Sequence, residues 1–163
     1  MCSLLTTGFV STSGSNDLAL AHYSELCFTN AAIFASKPMR FLSLDEITFR
    51  LPVPIGAVLR LSSKVVHTTR PDESSDEEAK VHIMVRAEVE EVETGVSDSS
   101  ILELIIKLRR ETNTFFFTMA SEDKSPIGRT VIPSTYTEAM HYLEGKRRLH
   151  LGDEMRTVYA ARA

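Results

Sequence analysis

The carboxylates that could take part in catalysis lie around one apolar segment near the N-terminus. Glu25 is the only formally charged residue between Asp17 and Lys37, and at helical spacing it lies beside Phe28. Burial among apolar neighbours would suit this carboxylate to work as a general base. The simpler alternative is a half-exposed carboxylate that pairs with His22 or with a basic residue across an interface.

Three further residues could contribute to such a site. Alternation along the predicted strand places Asp45 on the same face as Ile47 and Phe49, towards the helix, although a hydrogen bond to nearby backbone is the simpler role. Asn16 and Asp17 stand at the expected start of the helix. Unpaired backbone N–H groups there can polarise a carbonyl, and helix capping alone also accounts for both residues.

Several classes of function are excluded by composition. Cys2 and Cys27 are 25 positions apart with no CxxC, and the five histidines form no HxxxH or HxH pair, so no metal site is predicted. The net charge of −4 predicts no nucleic-acid partner. The absence of a long apolar run predicts no membrane span. The lack of basic residues before Lys37 argues against a transit peptide, so an intracellular location is expected, with the cytoplasm as one alternative.

The 163 residues predict one domain built from one helix and several strands. Residues 1–15 are expected to form a loose arm. The apolar stripe predicts a buried helix that begins near Asn16 and is stopped by Lys37-Pro38. Alternating segments then predict strands over 41–51, 57–69, 81–89 and 113–119. Together they indicate an α+β fold in which a curved antiparallel sheet wraps around the helix.

The C-terminal half contains two less regular stretches. Residues 95–108 form an insert between two strands, and they could extend both strands or form a small amphipathic helix. Thr135 and Glu138 make a capping box, which predicts a short helix over 135–145 that ends near Gly145. Residues 149–163 are expected to be a tail.

Five blocks of the sequence carry a resemblance to a known family. They are SELCFTNAAIF (24–34), RFLSLDEITFRLPVPIGAVLRLSSKVVHTT (40–69), KVHIMVRAEVEEVETG (80–95), RETNTFFFTMAS (110–121) and VIPSTYTEAMHYLEGKRR (131–148). In this order they resemble the second hotdog domain of double-hotdog acyl-coenzyme A thioesterases, of the mitochondrial type and its fungal relatives. The resemblance implies a single hotdog domain over 16–148, in agreement with the pattern of helix and strands.

The resemblance also implies an activity and its residues. The family hydrolyses acyl-CoA to a carboxylic acid and CoA, and coenzyme A enters as part of the substrate rather than as a cofactor. Glu25 falls where related helices carry an acid, with Asp45, Asn16 and Asp17 as further catalytic candidates. The phosphates of CoA require basic residues, for which the candidates are Arg60, Lys64, Arg86 and Arg110. Each of these four alone is better explained as a solvated surface charge, and only as a group do they make a phosphate-binding patch.

The resemblance further bears on partners and location. Hotdog active sites lie between two units, so a homodimer or a pairing with another hotdog domain is expected, in mitochondria by resemblance. Family members carry an Asn or Asp in a loop that ends in Gly-Gly before the helix, but no Asn or Asp precedes Asn16 here, and the first domain is missing. These departures favour an alternative, a catalytically silent hotdog module that binds a partner hotdog domain or acyl-CoA without turnover.

Overall fold

Five strands and two helices make up the fold. The computed structural model describes residues 3–8, 16–51, 53, 58–69, 78–93 and 106–162. The elements are β1 (Ser3–Gly8), α1 (Asn16–Ala35), β2 (Met39–Phe49), β3 (Val58–Thr68), β4 (Lys80–Glu93), β5 (Ile106–Ser121) and α2 (Tyr136–Ala160). The strands form one antiparallel sheet in the order β1-β3-β4-β5-β2. The predicted α+β class, with a sheet around one long helix, is confirmed.

Helix α1 packs one side against the sheet. Its stripe of core residues at spacings of three and four is almost fully buried, and it consists of Tyr23, Cys27, Ala31 and Phe34. Asn30, also buried, donates from Nδ2 to Ser63 Oγ of β3 at 2.8 Å. The expectation of burial on nearly every side is wrong for the single chain, because Phe28 and Ile33 are 45% and 51% exposed.

Strand β4 is covered on both faces. Its odd-numbered residues from Val81 to Ala87 are wholly buried in the core cluster that includes the stripe of α1. Its even-numbered residues Lys80, His82 and Met84 lie on the opposite face, which α2 covers, and are also buried. From Lys80 to Val85 the strand therefore has no solvent-facing side, and a polar residue in this part needs a partner inside the protein.

One prediction at the N-terminal segment is corrected, and the insert in the central segment is described only at its end. Residues 3–8 of the predicted loose arm form β1, which pairs with β3 from Ser3–Lys64 to Gly8–Leu59. This pairing satisfies the backbone groups that the edge of β3 would otherwise leave open. The insert over 95–108 ends inside β5, which begins at Ile106. Its preceding residues lie outside the part of the chain that the structure describes.

The C-terminal helix is longer than predicted. The Thr135 half of its capping box is confirmed, since Thr135 Oγ1 accepts a hydrogen bond from the Glu138 N–H at 3.2 Å, whereas the Glu138 carboxylate accepts from the N–H of Ser134, one residue before the cap, at 2.9 Å. The helix continues through Gly145 to Ala160, so the predicted helix end and the tail are wrong. The reason is that Gly145 is buried against the sheet, where the absence of a side chain leaves room for those of Val66, His67 and His82.

Among the described residues, no helix is both long enough and apolar enough to cross a membrane.

We expect Gly145→Ala to destabilise the protein by about 1–3 kcal/mol, because overpacking a close contact forces neighbours to move. A Cβ at this position would lie 2.9 Å from Val66 Cγ2 and 3.2 Å from His82 Cδ2. Gly152→Ala in the same helix is the matched control, since a Cβ there meets nothing within 4 Å. The control should be stabilised by up to about 1 kcal/mol from helix propensity. Urea denaturation of both variants tests the packing, and equal stabilities would contradict it.

Candidate functional site

Glu25 lies on the open side of α1. Its side chain is 79% exposed, and its Oε2 is 3.9 Å from Nδ1 of His22 one turn earlier. The predicted burial of Glu25 is therefore wrong for the single chain, and the alternative pairing with His22 is present. Asn16 and Asp17 occupy the first two positions of α1, so its unpaired backbone N–H groups are at that end. Glu25 is nine positions after Asn16, which is about 13.5 Å along the helix axis.

An apolar surface accompanies Glu25. Phe28 and Ile33 of α1 are about half exposed, and Phe41 on the edge strand β2 is 55% exposed. Phe41 packs edge-on against the core residue Phe117, with ring centroids 6.5 Å apart. Large apolar side chains that remain open on a helix and on the adjacent strand mark a surface suited to a partner or an acyl chain.

Asp45 lies on the other face of the sheet, away from α1. Its register places it opposite Phe116, and its Oδ2 is 3.8 Å from Nε2 of His82. Burial raises the pKa of Asp45, while Arg148 and Arg156 nearby act against that rise. The predicted orientation towards the helix is wrong, because pairing irregularities in β2 break the simple alternation. Asp45 and Glu25 therefore do not share a site within one chain.

His82 is the residue that sequence reasoning missed on this face. It is fully buried, its Nδ1 is 3.0 Å from Thr118 Oγ1, and its ring stacks on Phe116 with centroids 5.7 Å apart. Burial lowers its pKa to about 3, helped by the nearby His67 and Arg148. The period-two pattern of β4 contained the signal, since His82 alternates with the core valines and isoleucine.

The predicted basic residues divide between the two faces. Lys64 and Arg86 are both on the α2 face: Lys64 donates to Glu138 of α2 at 2.8 Å, and Arg86 Nε is 3.3 Å from Glu111. Arg60 shares the face of Lys64 by alternation along β3. Arg110 is in register with Val89, a buried residue, and is on the α1 face. The four residues therefore do not form one patch within the chain.

A polar cleft of about 400 Å³ lies between the sheet and α2. Charged side chains predominate in its lining, which consists of Arg50, Met84, Arg86, Glu111, Thr114, Phe116, His141, Glu144 and Arg148. The Arg148 guanidinium lies over the Phe116 ring at 4.2 Å from the centroid. Within the described ranges, no three His, Cys, Asp or Glu side chains are grouped as metal ligands would be.

Burial makes the thiol of Cys27 unreactive. Cys27 is fully buried, and burial raises the pKa of its thiol well above the usual range. A thiol that stays protonated is a poor nucleophile. The carboxylate and backbone groups of α1 are therefore the better candidates for chemistry on this face.

The buried His82 predicts a pH-dependent stability. His82 is neutral in the folded protein and binds a proton when unfolded below pH ~6.5, so the unfolded state gains protons as the pH falls. The free energy of unfolding should therefore fall by up to about 1.4 kcal/mol per pH unit between ~6.5 and about 3. Denaturant titrations at a series of pH values measure this slope.

His82→Leu should flatten that slope, and His82→Gln serves the same purpose if the leucine variant does not fold. His150→Gln is the control, because His150 is 76% exposed on α2. A slope unchanged in both His82 variants would contradict the assignment.

Comparison with known proteins gives relatives by sequence and by fold. No family model matches the chain. The chain is 32% identical over 123 residues to acyl-coenzyme A thioesterase 9, mitochondrial, of Homo sapiens. The match covers 76% of this chain and 23% of that relative, so the chain spans about a quarter of the length of the curated relative.

Solved structures confirm the fold. A hexameric acyl-CoA thioesterase in its apo form superposes with a TM-score of 0.71 at 22% identity, over 98% of this chain and 94% of that one. An acyl-CoA hydrolase from Staphylococcus aureus, solved with butyryl coenzyme A and coenzyme A, gives a TM-score of 0.68 at 13% identity, over 98% and 95%. The chain therefore has the hotdog fold, and over 123 residues its sequence is similar to an acyl-coenzyme A thioesterase.

Proposed function

We propose that the chain is one unit of an acyl-CoA thioesterase, which hydrolyses acyl-CoA to a carboxylic acid and free CoA. The observation that carries the proposal is the open face of α1. There the exposed carboxylate of Glu25 lies on the same helix as the exposed apolar side chains of Phe28 and Ile33, and Phe41 on β2 is exposed as well. Such a face offers an acid–base group beside an apolar wall, which are the two features that an acyl thioester requires. The homology to acyl-coenzyme A thioesterases supports the same reaction.

In the proposed reaction, the Glu25 carboxylate accepts a proton from a water molecule, whose oxygen attacks the thioester carbonyl carbon. The backbone N–H groups at the start of α1, around Asn16 and Asp17, stabilise the negative charge that forms on the carbonyl oxygen. The carbon–sulfur bond then breaks, and the CoA thiolate takes up the proton. The products are a free acid and a free thiol.

Two hotdog units are needed to complete this site. Within one α1, the N-terminal N–H groups and Glu25 are about 13.5 Å apart along the axis, whereas groups that act on one carbonyl must lie within about 3.5 Å of the reacting atoms. A single α1 therefore supplies either the carboxylate or the N–H groups to a given thioester. The edge strand β2 and the exposed Phe41 support a homodimer or a pairing with another hotdog domain across this side.

The CoA phosphates require donors outside the reacting centre. Arg110 is the candidate on the α1 face, since it is in register with the buried Val89. Arg60, Lys64 and Arg86 are on the α2 face, and they would reach the same CoA only from a partner unit. The mitochondrial name of the human relative supports a mitochondrial location.

A second function has an observation in its favour. The exposure of Glu25 in the single chain is the environment of an ordinary surface carboxylate rather than of a tuned base. A catalytically silent hotdog module, which binds acyl-CoA or a partner hotdog domain without turnover, would keep this arrangement.

Glu25→Gln should reduce the release of free thiol from acyl-CoA by about 10²-fold or more, because the amide cannot accept the proton from water. A thiol-reactive dye measures the release across a series of acyl-chain lengths. Glu154→Gln is a matched control: it changes a similarly exposed glutamate, paired with His150 at 3.7 Å, on the other helix. The control should keep full activity.

The possible results separate the two functions. Equal rates in Glu25→Gln and the parent would remove Glu25 from the chemistry. Binding of acyl-CoA by calorimetry, without thiol release at any chain length, would favour the silent module.

The oligomer that the site requires gives a further prediction. Phe28→Asp should convert a dimer or larger assembly into monomers and abolish thiol release, because a charge at a buried interface is not solvated. Val158→Asp, on the outer side of α2 with a similar exposure of 48% against 45%, should remain at least dimeric. Light scattering coupled to size exclusion measures the mass. A monomeric parent protein that is fully active would contradict the two-unit site.

A further inference from the structure

We propose that the cleft between the sheet and α2 binds a phosphate monoester. The cleft of about 400 Å³ is on the face of the sheet opposite to α1 and Glu25, and its size is typical of small-molecule sites. Three guanidinium groups line it, those of Arg50, Arg86 and Arg148. A guanidinium group presents a planar set of donors that matches the oxygens of a phosphate.

One carboxylate in the cleft serves several donors. Arg50 Nη1 and Arg86 Nε both pair with Glu111, at 3.4 and 3.3 Å. The same carboxylate accepts a hydrogen bond from Thr114 Oγ1 at 2.7 Å. Because each guanidinium group carries five N–H donors, Arg50 and Arg86 together offer more donors than the two oxygens of Glu111 can accept, and an entering oxyanion would supply further acceptors.

Two polar atoms in the lining residues are buried without a hydrogen bond. They are Arg86 Nε and His141 Nδ1, and neither has a hydrogen-bond partner within the described part of the protein. The 3.3 Å approach of Arg86 Nε to Glu111 is close enough for an ion pair, but its geometry does not make a hydrogen bond. A buried Arg86 Nε–H donor without a partner is unfavourable, and an oxyanion ligand would satisfy it. His141 Nδ1 would donate to the same ligand in the tautomer that carries the proton on this atom.

The charges around the cleft favour an anion. The three arginines face two carboxylates, Glu111 and Glu144, which leaves one net positive charge. The Glu144 carboxylate already accepts hydrogen bonds from Arg147 and Arg148, at 2.9 and 2.7 Å. Lys64 and Glu138 beside the cleft form a pair of zero net charge at 2.8 Å. Burial lowers the pKa of His141, and this histidine stays neutral at pH 7 and adds no charge.

The shape of the site defines the class of ligand. The Phe116 ring already has two neighbours, with His82 stacked at 5.7 Å and the Arg148 guanidinium at 4.2 Å from its centroid, and a base that stacked on this ring would compete with them. Recognition therefore rests on the phosphate group rather than on an aromatic moiety. The monoester could belong to the nucleotide end of coenzyme A or to an independent small phosphate, and the experiment separates these sources.

Calorimetry on the full chain tests the site with three probes: inorganic phosphate, adenosine 5′-monophosphate and adenosine 3′,5′-bisphosphate. Arg86→Met should weaken binding by about tenfold or more, because it removes the buried donor group, and Arg86→Lys should weaken it less. Arg40→Met is the control, since Arg40 pairs with Glu78 away from the cleft. It should bind like the parent. Circular dichroism confirms that each variant is folded.

Each outcome has a definite meaning. Failure of the parent to bind any probe at millimolar concentration, or equal binding by folded Arg86→Met, overturns the proposal. Binding of the bisphosphate alone, with competition by CoA, assigns the cleft to the nucleotide end of coenzyme A. Binding of all three probes without competition assigns it to a separate phosphate. Because none of these measurements requires turnover, they remain informative if thiol release is never detected.

Discussion

A charge buried under α2 is the interaction on which the arrangement of the sheet depends. Lys80 at the start of β4 is fully buried, and its Nζ is 2.6 Å from Asp153 Oδ1 of α2. A buried ammonium without a counterion is strongly unfavourable, so α2 must extend far enough to deliver Asp153. This requirement, together with the close approach at Gly145, explains why the helix continues past the glycine that would otherwise end it.

The covered second face divides the molecule into two chemical environments. On the α1 side the sheet meets an apolar stripe, and the helix leaves its other side open with Glu25 on it. On the α2 side the sheet presents histidine, arginine and carboxylate groups around a cleft. Because the sheet lies between them, a ligand in the cleft cannot touch the same atoms as a ligand on the open face of α1. The two proposed sites are thus physically separate within one chain.

Much of this fold was predictable because it follows local periodicity. The stripe of Tyr23, Cys27 and Phe34 identified α1, and the alternation of Val81 to Val89 identified β4 and its buried face. The position of Asp45 was not predictable, because the pairing irregularities of β2 depend on β5 and leave no mark in its own pattern. The predicted helix end at Gly145 was wrong for a related reason. A glycine after a helical segment usually ends the helix, and the contact of Gly145 with the sheet is a tertiary property that the local sequence does not show.

The candidate site was predictable in its residue types but not in its environment. Glu25 was identified because it is the lone charge in an apolar segment, yet its exposure depends on what covers α1 beyond the single chain. The cleft was missed because Arg50, Arg86 and Arg148 come from separate segments that only the sheet and α2 bring together.

The distance along α1 between its first N–H groups and Glu25 implies that two different defective chains could complement each other. A site that takes its carboxylate from one unit and its N–H groups from another can be restored by mixing two defective chains. In a mixed pair, one chain disabled at Glu25 and a second disabled at the start of α1 would together form one intact site and one doubly defective site. Such a pair would recover up to about half of the parental activity, which neither defective chain has alone.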